Sequence, residues 1–336
     1  MTTFALPHRL EASEPPASRD GVRLLVARAA GVEHARFADL TTYLAPGDLV
    51  VVNTSATLAA ALDGTRQDGR PVTVHFATAL DDGGWIAELR PRAGADGPLP
   101  DTTAGDVLTL PDDVRLVVGD PHPAGQQRLW RVDVAVEGGV VAYLERHGRP
   151  IRYSYVPVSY PLAQYQTVFG RDSGSAEMPS AGRPFTDALV TDLVTRGIGV
   201  APITLHTGVS SQDPGEPPQP ERFRVPPATA RLVNMTRAWG GRIVAVGTTV
   251  TRALESAADR SGVVRESSGW TDLVLGSHRP AVVVSGLVTG WHAPGASHLE
   301  LLQAVAGAEL VERAYAAALD AEYLWHEFGD SCLLLP

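Results

Sequence analysis

Between about Thr65 and Val136 the chain runs through VTVHFATAL, GGWIAELRPR, GDVLTLP, DVRLVVGD and QRLWRVDVAV. These are short alternating segments cut by turns, and no helical period appears among them. Alternation of period two, broken by Gly, Asp and Pro, predicts an all-β unit closed into a small barrel. Either side of it the texture differs. Leu24–Arg28 and Gly47–Asn53 read as strands, the second (GDLVVVN) apolar enough to be buried on both faces. After the β stretch come a helix over Gly139–His147 and a loop of about forty residues, a length that in a compact chain marks a functional segment or a lid. A helix over Asp187–Gly197 follows, stopped by its glycine, then a strand over Ile198–Thr204. Gln212–Pro227, with six prolines, reads as a stiff exposed connector, and Ala228–Trp239 as a helix. Further on, Ala281–Val288 reads as a strand, His298–Ala318 as one long amphipathic helix and Ser331–Leu335 as a last strand. The expected fold class is α/β: a large mixed α/β domain from residues 1–62 and 149–336, with an inserted all-β, barrel-like domain at 63–148.

One segment of the α/β part carries chemistry as well as structure. In Gly240–Ser256, GGRIVAVGTTVTRALES, a β-branched run leads through Gly247-Thr248-Thr249 into a helix that a threonine can cap. Free backbone N–H groups at such a helix start favour an anion. Arg252 in the first turn adds a guanidinium with bidentate geometry for a carboxylate. The alternative is an ordinary turn with a solvated arginine, ion-paired at the surface to Glu255 or Asp259.

Charge and composition narrow the classes. A net charge of −10 leaves no broad basic surface for non-specific nucleic-acid binding, although a local basic patch remains open. A single cysteine, Cys332, permits no intramolecular disulfide and no multi-cysteine metal site, and no His/Cys/Asp spacing suggests a metal. No phosphate loop or dinucleotide fingerprint occurs. Without a basic-then-apolar start or a long apolar run, the chain reads as soluble and cytoplasmic, away from membranes.

Three segments in order, ITLHTG (Ile203–Gly208), GGRIVAVGTTVTRALES and VTGWHAPGAS (Val288–Ser297), resemble the S-adenosylmethionine:tRNA ribosyltransferase-isomerase family of queuosine biosynthesis. The resemblance extends to RDGVRLLV near the start, GDLVVVN, YQTV (Tyr165–Val168), PSAG (Pro179–Gly182) and the closing FGDSCLLL. It implies a mixed α/β fold with a β-barrel insert, and transfer of the ribosyl carbons of S-adenosylmethionine to an aminomethyl-deazaguanine in the tRNA wobble position. Adenine and methionine leave, and epoxyqueuosine forms. S-adenosylmethionine would be a co-substrate, with no metal. Where the family usually has Leu-His-Phe this chain has Arg183-Pro184-Phe185, and where it has Asp-Thr-Arg this chain has Thr54-Ser55-Ala56. Gly208-Val209-Ser210-Ser211-Gln212, Gly290-Trp291-His292 and His298-Leu299-Glu300-Leu301 depart likewise. These departures leave open a relative acting on a small-molecule acceptor, or a non-catalytic S-adenosylmethionine-binding homologue.

The implied reaction needs a base beside the ribose carbon that the sulfonium acidifies, a proton donor for departing adenine, and a clamp for the methionine tail. Neutral histidine suits proton transfer, with an unperturbed pKa of about 6.5. His206 and His292 stand in retained segments, and Glu221 falls where the family has a glutamate; each has a structural alternative, for Glu221 a solvated side chain. Arg252 with Gly247, Thr248 and Thr249 is assigned the carboxylate. Pro179, Ser180, Ala181 and Gly182 belong to the site through PSAG, and Asp330 through FGD, though a turn explains Gly-Asp as well. Tyr165 and Gln166 are candidates to stack on and hydrogen-bond a base, or else to be core. Arg183, a cation in the stretch where the family keeps its motif histidine, is assigned an anionic substrate group. Arg149, Arg152 and Arg171 are the candidate tRNA contacts.

Overall fold

The computed structural model describes residues 4–92, 97–209 and 218–336. A nine-stranded mixed sheet forms its spine, in the order Ser267–Thr271, Glu221–Val225, Gly199–Leu205, Leu49–Asn53, Ile243–Val246, Gly286–Thr289, Ser331–Leu335, Arg23–Arg28, Gly31–Arg36. Gly199–Leu205, Leu49–Asn53, Ile243–Val246 and Gly286–Thr289 run parallel to one another, so their C-terminal ends open on one edge of the sheet. Leu49–Asn53 is buried throughout, as its apolar run requires. Period-two alternation divides the core. Leu49, Val51, Ile243, Ala245 and Leu287 face one side, with Val250, Leu254, Leu302 and Val311. Val50, Val52, Val244, Val246 and Val288 face the other, with Phe185, Leu189 and Leu193.

The insert is a closed barrel, ordered Leu129–Val134, Trp85–Pro91, Pro71–Ala79, Ala61–Arg66, Val107–Thr109, Arg115–Pro121. A helix over Gly139–His147 closes it. The chain returns almost to where it left: Ala61 N–H donates to Arg149 O and Arg149 N–H donates to Ala61 O, both at 2.9 Å. Gly148 makes that waist possible, since a Cβ there would lie 2.0 Å from the Ala59 carbonyl oxygen.

Several expected elements change. The helix His298–Ala318 is two, His298–Ala306 and Ala308–Asp320, because Gly307 at φ 79° caps the first and starts the second. The strand expected from Ala281 begins only at Gly286. The N–H groups of Val282, Val283 and Val284 are taken by the Glu255 carboxylate at 2.9–3.0 Å instead of by a neighbouring strand. No threonine caps Thr248–Ser256; Gly247 does so through its backbone, at φ 93°. The proline-rich connector lies partly outside the described residues, but its second half is the paired strand Glu221–Val225, and Pro227 opens a helix. The long loop contributes a strand, Asp172–Ser175, parallel to Ser55–Thr57.

The waist gives a direct test. Gly148→Ala drives a methyl group into backbone that cannot yield cheaply, and should lower stability by about 2–3 kcal/mol. Denaturant unfolding measures it; an unchanged midpoint would show the waist to be plastic.

Candidate active site

Open α/β sheets bind ligands outside the C-terminal ends of their parallel strands. A cavity of about 400 Å³ lies at that edge. Gly199–Leu205 leads into its Thr207–Val209 wall, Ile243–Val246 into Gly247, Thr248, Thr249 and Arg252, and Gly286–Thr289 into Gly290–His298. The long segment after the barrel supplies Tyr153, Tyr155 and Glu177–Ala181, and the C-terminal loop supplies His326 and Glu327.

Asn53 holds the strand ends in register. Its Nδ2 donates to Leu205 O at 2.8 Å and to Thr249 Oγ1 at 3.3 Å. Its Oδ1 accepts from the N–H groups of Leu205 and Ser55, each at 3.0 Å. One buried carboxamide thus joins three of the segments that wall or support the cavity.

Charge in the cavity is dense and largely shielded from water. Arg252 is buried and ion-paired with Glu221, and it also donates to the carbonyls of Leu273, Thr271 and Gln219. The alternative of a surface pair is therefore overturned: Glu255 is engaged with Val282–Val284, and Asp259 pairs with Arg265. Nor is Glu221 a solvated connector residue; its burial raises its pKa against the lowering by Arg252. Tyr155 Oη donates to Glu327 Oε2 at 3.1 Å, and Tyr153 Oη donates to Glu177. Burial, with Glu177 close by, pushes the Glu327 carboxyl up to about 8, so it carries a proton near neutral pH.

The imidazoles are pushed the other way. His292 and His298 stack with centroids 4.5 Å apart and planes parallel to within 1°. Burial holds His292 well below its ordinary value, and takes His298 to about 4 with help from the positive charge of Arg252. Both are neutral at pH 7, with His292 Nε2 3.1 Å from Thr289 Oγ1. His326 stacks on Tyr155 with centroids 4.2 Å apart, its Nε2 3.1 Å from Glu11 Oε1. A cavity holding neutral imidazoles and a protonated carboxyl contains both proton acceptors and a proton donor.

Of the residues expected from sequence, Glu221, His292, Gly247, Thr248, Thr249, Arg252, Pro179, Ser180 and Ala181 line this cavity. The others do not line it. His206 lies behind Thr207, its ring over Gly174 and its Nδ1 2.7 Å from Ser55 Oγ, which in turn contacts Ser175 Oγ at 2.6 Å. Tyr165 is packed against Phe328, and Gln166 bonds both the N–H and the C=O of Thr57, so neither is placed to meet a base. Asp330 accepts from Arg23 and from the N–H groups of Arg23 and Leu324, a tie between chain ends. Gly182 is packed against Thr167. Arg183 is 1% exposed, lies 5.3 Å from the Phe328 ring centroid and is not among the residues lining the cavity. Among the proposed RNA contacts, Arg149 is paired with Asp63 at 2.6 Å, Arg152 donates to Val156 O and Arg171 to Gly170 O. Of the departures from family pattern, Ser210–Gln212 lies outside the described residues.

Tyr153, Tyr155, Glu177, His298, His326 and Glu327 were missed. Signals existed, because Glu177 precedes MPSAG, His298 follows APGAS and His326-Glu327 precedes FGD. No group of three or more His, Cys, Asp or Glu among the described residues has metal-holding geometry, and no described helix is long and apolar enough to cross a membrane.

The sequence profile described as "Queuosine biosynthesis protein" matches residues 2–334. A protein from Symbiobacterium thermophilum, named S-adenosylmethionine:tRNA ribosyltransferase-isomerase, is 38% identical over 99% of this chain and 98% of its own. One of the same name from Pelotomaculum thermopropionicum is 34% identical over the same shares. The crystal structure of S-adenosylmethionine tRNA ribosyltransferase from Thermotoga maritima is 28% identical, covers 99% of both chains and superposes with a TM-score of 0.56.

Because Arg252 and Glu221 are each buried on the other's account, Arg252→Met should cost about 3–5 kcal/mol by stranding a carboxylate. Adding Glu221→Gln should recover much of that loss. Thermal melts of the single and double variants check it; a single variant as stable as the parent would deny the coupling.

Proposed function

The chain belongs to the queuosine biosynthesis protein family, and from that premise we propose that it is an S-adenosylmethionine:tRNA ribosyltransferase-isomerase. It transfers the ribosyl carbons of S-adenosylmethionine to 7-aminomethyl-7-deazaguanine in tRNA, with release of adenine and methionine and formation of epoxyqueuosine. The observation that carries this reading is the near end-to-end match, residues 2–334, together with three matching segments meeting at one cavity. A small-molecule acceptor or a purely binding role is not favoured, since relatives bearing the enzyme's name align over 98–99% of this chain.

The cavity's own groups fit the chemistry. A sulfonium and an ammonium are cations, and the wall offers the carboxylate side chains Glu177 and Glu221 beside the stacked Tyr153 and Tyr155 rings. A neutral imidazole, His292 or its stacked neighbour His298, takes the proton from the ribose carbon next to sulfur. The Glu327 carboxyl, protonated near neutral pH, is the group suited to give a proton to departing adenine. Arg252 holds Glu221 in place, while Thr248 and Thr249, after the turn that Gly247 makes, present the N–H groups of a helix start to the methionine carboxylate.

Incubation with S-adenosylmethionine and a tRNA anticodon stem-loop bearing the deazaguanine should release adenine, read by chromatography; omission of the RNA should abolish it. Adenine release independent of RNA would overturn the assignment of the acceptor. His292→Ala should lower kcat by roughly a hundredfold or more, the usual yield of a positioned proton acceptor.

Glu327 also predicts a pH dependence. Below pH 4.5 its carboxyl is protonated in the folded and unfolded chains alike. Above that the unfolded chain ionises while the folded one keeps its proton, so the associated stability is lost as pH rises toward about 8. Glu327→Gln removes this term. Its melting temperature should gain on the parent's by on the order of a few degrees between pH 5 and 8.5. Parallel melting curves would mean that Glu327 ionises freely.

A further inference from the structure

A second cavity, of about 200 Å³, adjoins the first through a shared wall of Gly208, Val209 and Gln219. Its far side comes from the barrel, through Thr78, Leu80, Ile86, His122 and Leu129, and it is closed by Trp270 on the edge strand of the large sheet. Resting on the reading just given, we propose that this slot receives an unstacked nucleobase of the RNA, a loop neighbour of the base that enters the main cavity.

The lining selects for a planar, weakly polar occupant. Leu80, Ile86, Leu129 and Val209 would strip water from a charged group or a sugar without replacing its hydrogen bonds. A base face tolerates such a wall. Its edge can meet the His122 imidazole, which burial holds neutral and so able to donate at one nitrogen and accept at the other.

Trp270 is fixed before anything binds. Its Nε1–H donates to Asp81 of the barrel at 2.9 Å, and the Arg222 guanidinium lies 5.3 Å from its ring centroid while also pairing with Asp81. A platform already immobilised loses little entropy when a base stacks on it.

A cation stands beside it. On the strand Glu221–Val225, Phe223 and Val225 point into the core, while Arg222 and Arg224 point out. Arg222 faces Trp270 across the ladder and Arg224 faces Ser268. Arg224 is thus about 7 Å further along the same face. It is exposed and makes no ion pair among the described residues. It is placed to take the phosphate attached to a base in the slot, which locates a local basic contact in a chain of net charge −10.

The test uses the full chain and the deazaguanine stem-loop, with 2-aminopurine replacing the loop nucleotide on one side or the other of the acceptor base. On binding in the presence of S-adenosylmethionine, emission from one of the two positions should fall several-fold. Trp270→Leu should abolish that fall. It should also raise KM for the RNA roughly tenfold, as expected for one lost base–aromatic stack, with kcat and KM for S-adenosylmethionine within about twofold. Arg224→Gln should keep the fluorescence change and reduce the salt slope of RNA binding by about one. A fluorescence change that survives Trp270→Leu, no change at either position, or a KM for S-adenosylmethionine that rises with that for the RNA would overturn the slot. Absence of adenine release by the parent protein would instead bring down the underlying reading, and the slot with it; with release intact, the fluorescence bears on the slot alone.

Discussion

The side-chain amide of Asn53 fixes the strand ends from which one wall of the cavity is built. Parallel strands converge on an edge but leave it ragged, since each ends where its own sequence ends. Asn53 spends its oxygen on Leu205 and Ser55 and its nitrogen on Leu205 and Thr249, so the turns after three neighbouring segments are fixed against one another. The positions of His206, Thr207 and Thr249 follow from that tie. A shift of one hydrogen bond here would move the cavity wall by a distance comparable to the tolerance of proton transfer.

With the frame fixed, burial sets the chemistry. The same exclusion of water raises the Glu327 carboxyl and depresses the imidazoles of His292 and His298. Opposite shifts from one cause leave a donor and acceptors together at neutral pH. Arg252 changes meaning in this setting. Read from sequence it is a free fork awaiting a substrate carboxylate; folded, it already serves Glu221 and three carbonyls. Its charge still acts at a distance, lowering His298.

The architecture was legible because periodicity reports it directly: GDLVVVN is a buried strand, and the alternation from about Thr65 to Val136 is a barrel. Cavity-lining residues were legible where a segment leaves a parallel strand, as at Gly247–Thr249 and His292. Sequence could not show which way a side chain faces within such a segment. His206, Tyr165, Gln166 and Asp330 stand in matching motifs, yet each bonds or packs against its own fold. Tyr153 and Glu177 come from a stretch with no period, and only tertiary contact brings them to His326 and Glu327. Gly307 misled for the opposite reason, since a single glycine inside an amphipathic pattern does not announce a break.

The waist between Ala61 and Arg149 has a bearing on how such a chain can change over time. Strand Leu49–Asn53 is complete before the barrel begins, and the main chain resumes within a residue's reach of its departure point. Among the described residues, the excursion contributes no rung to the nine-stranded ladder. Apart from the tie of Asp81 to Trp270 and Arg222, the barrel is to the sheet a loop whose two ends touch, and closing it costs little more for many residues than for few. Away from Asp81 and the face that lines the second cavity, the module can therefore be lengthened or trimmed while the parallel core keeps its register.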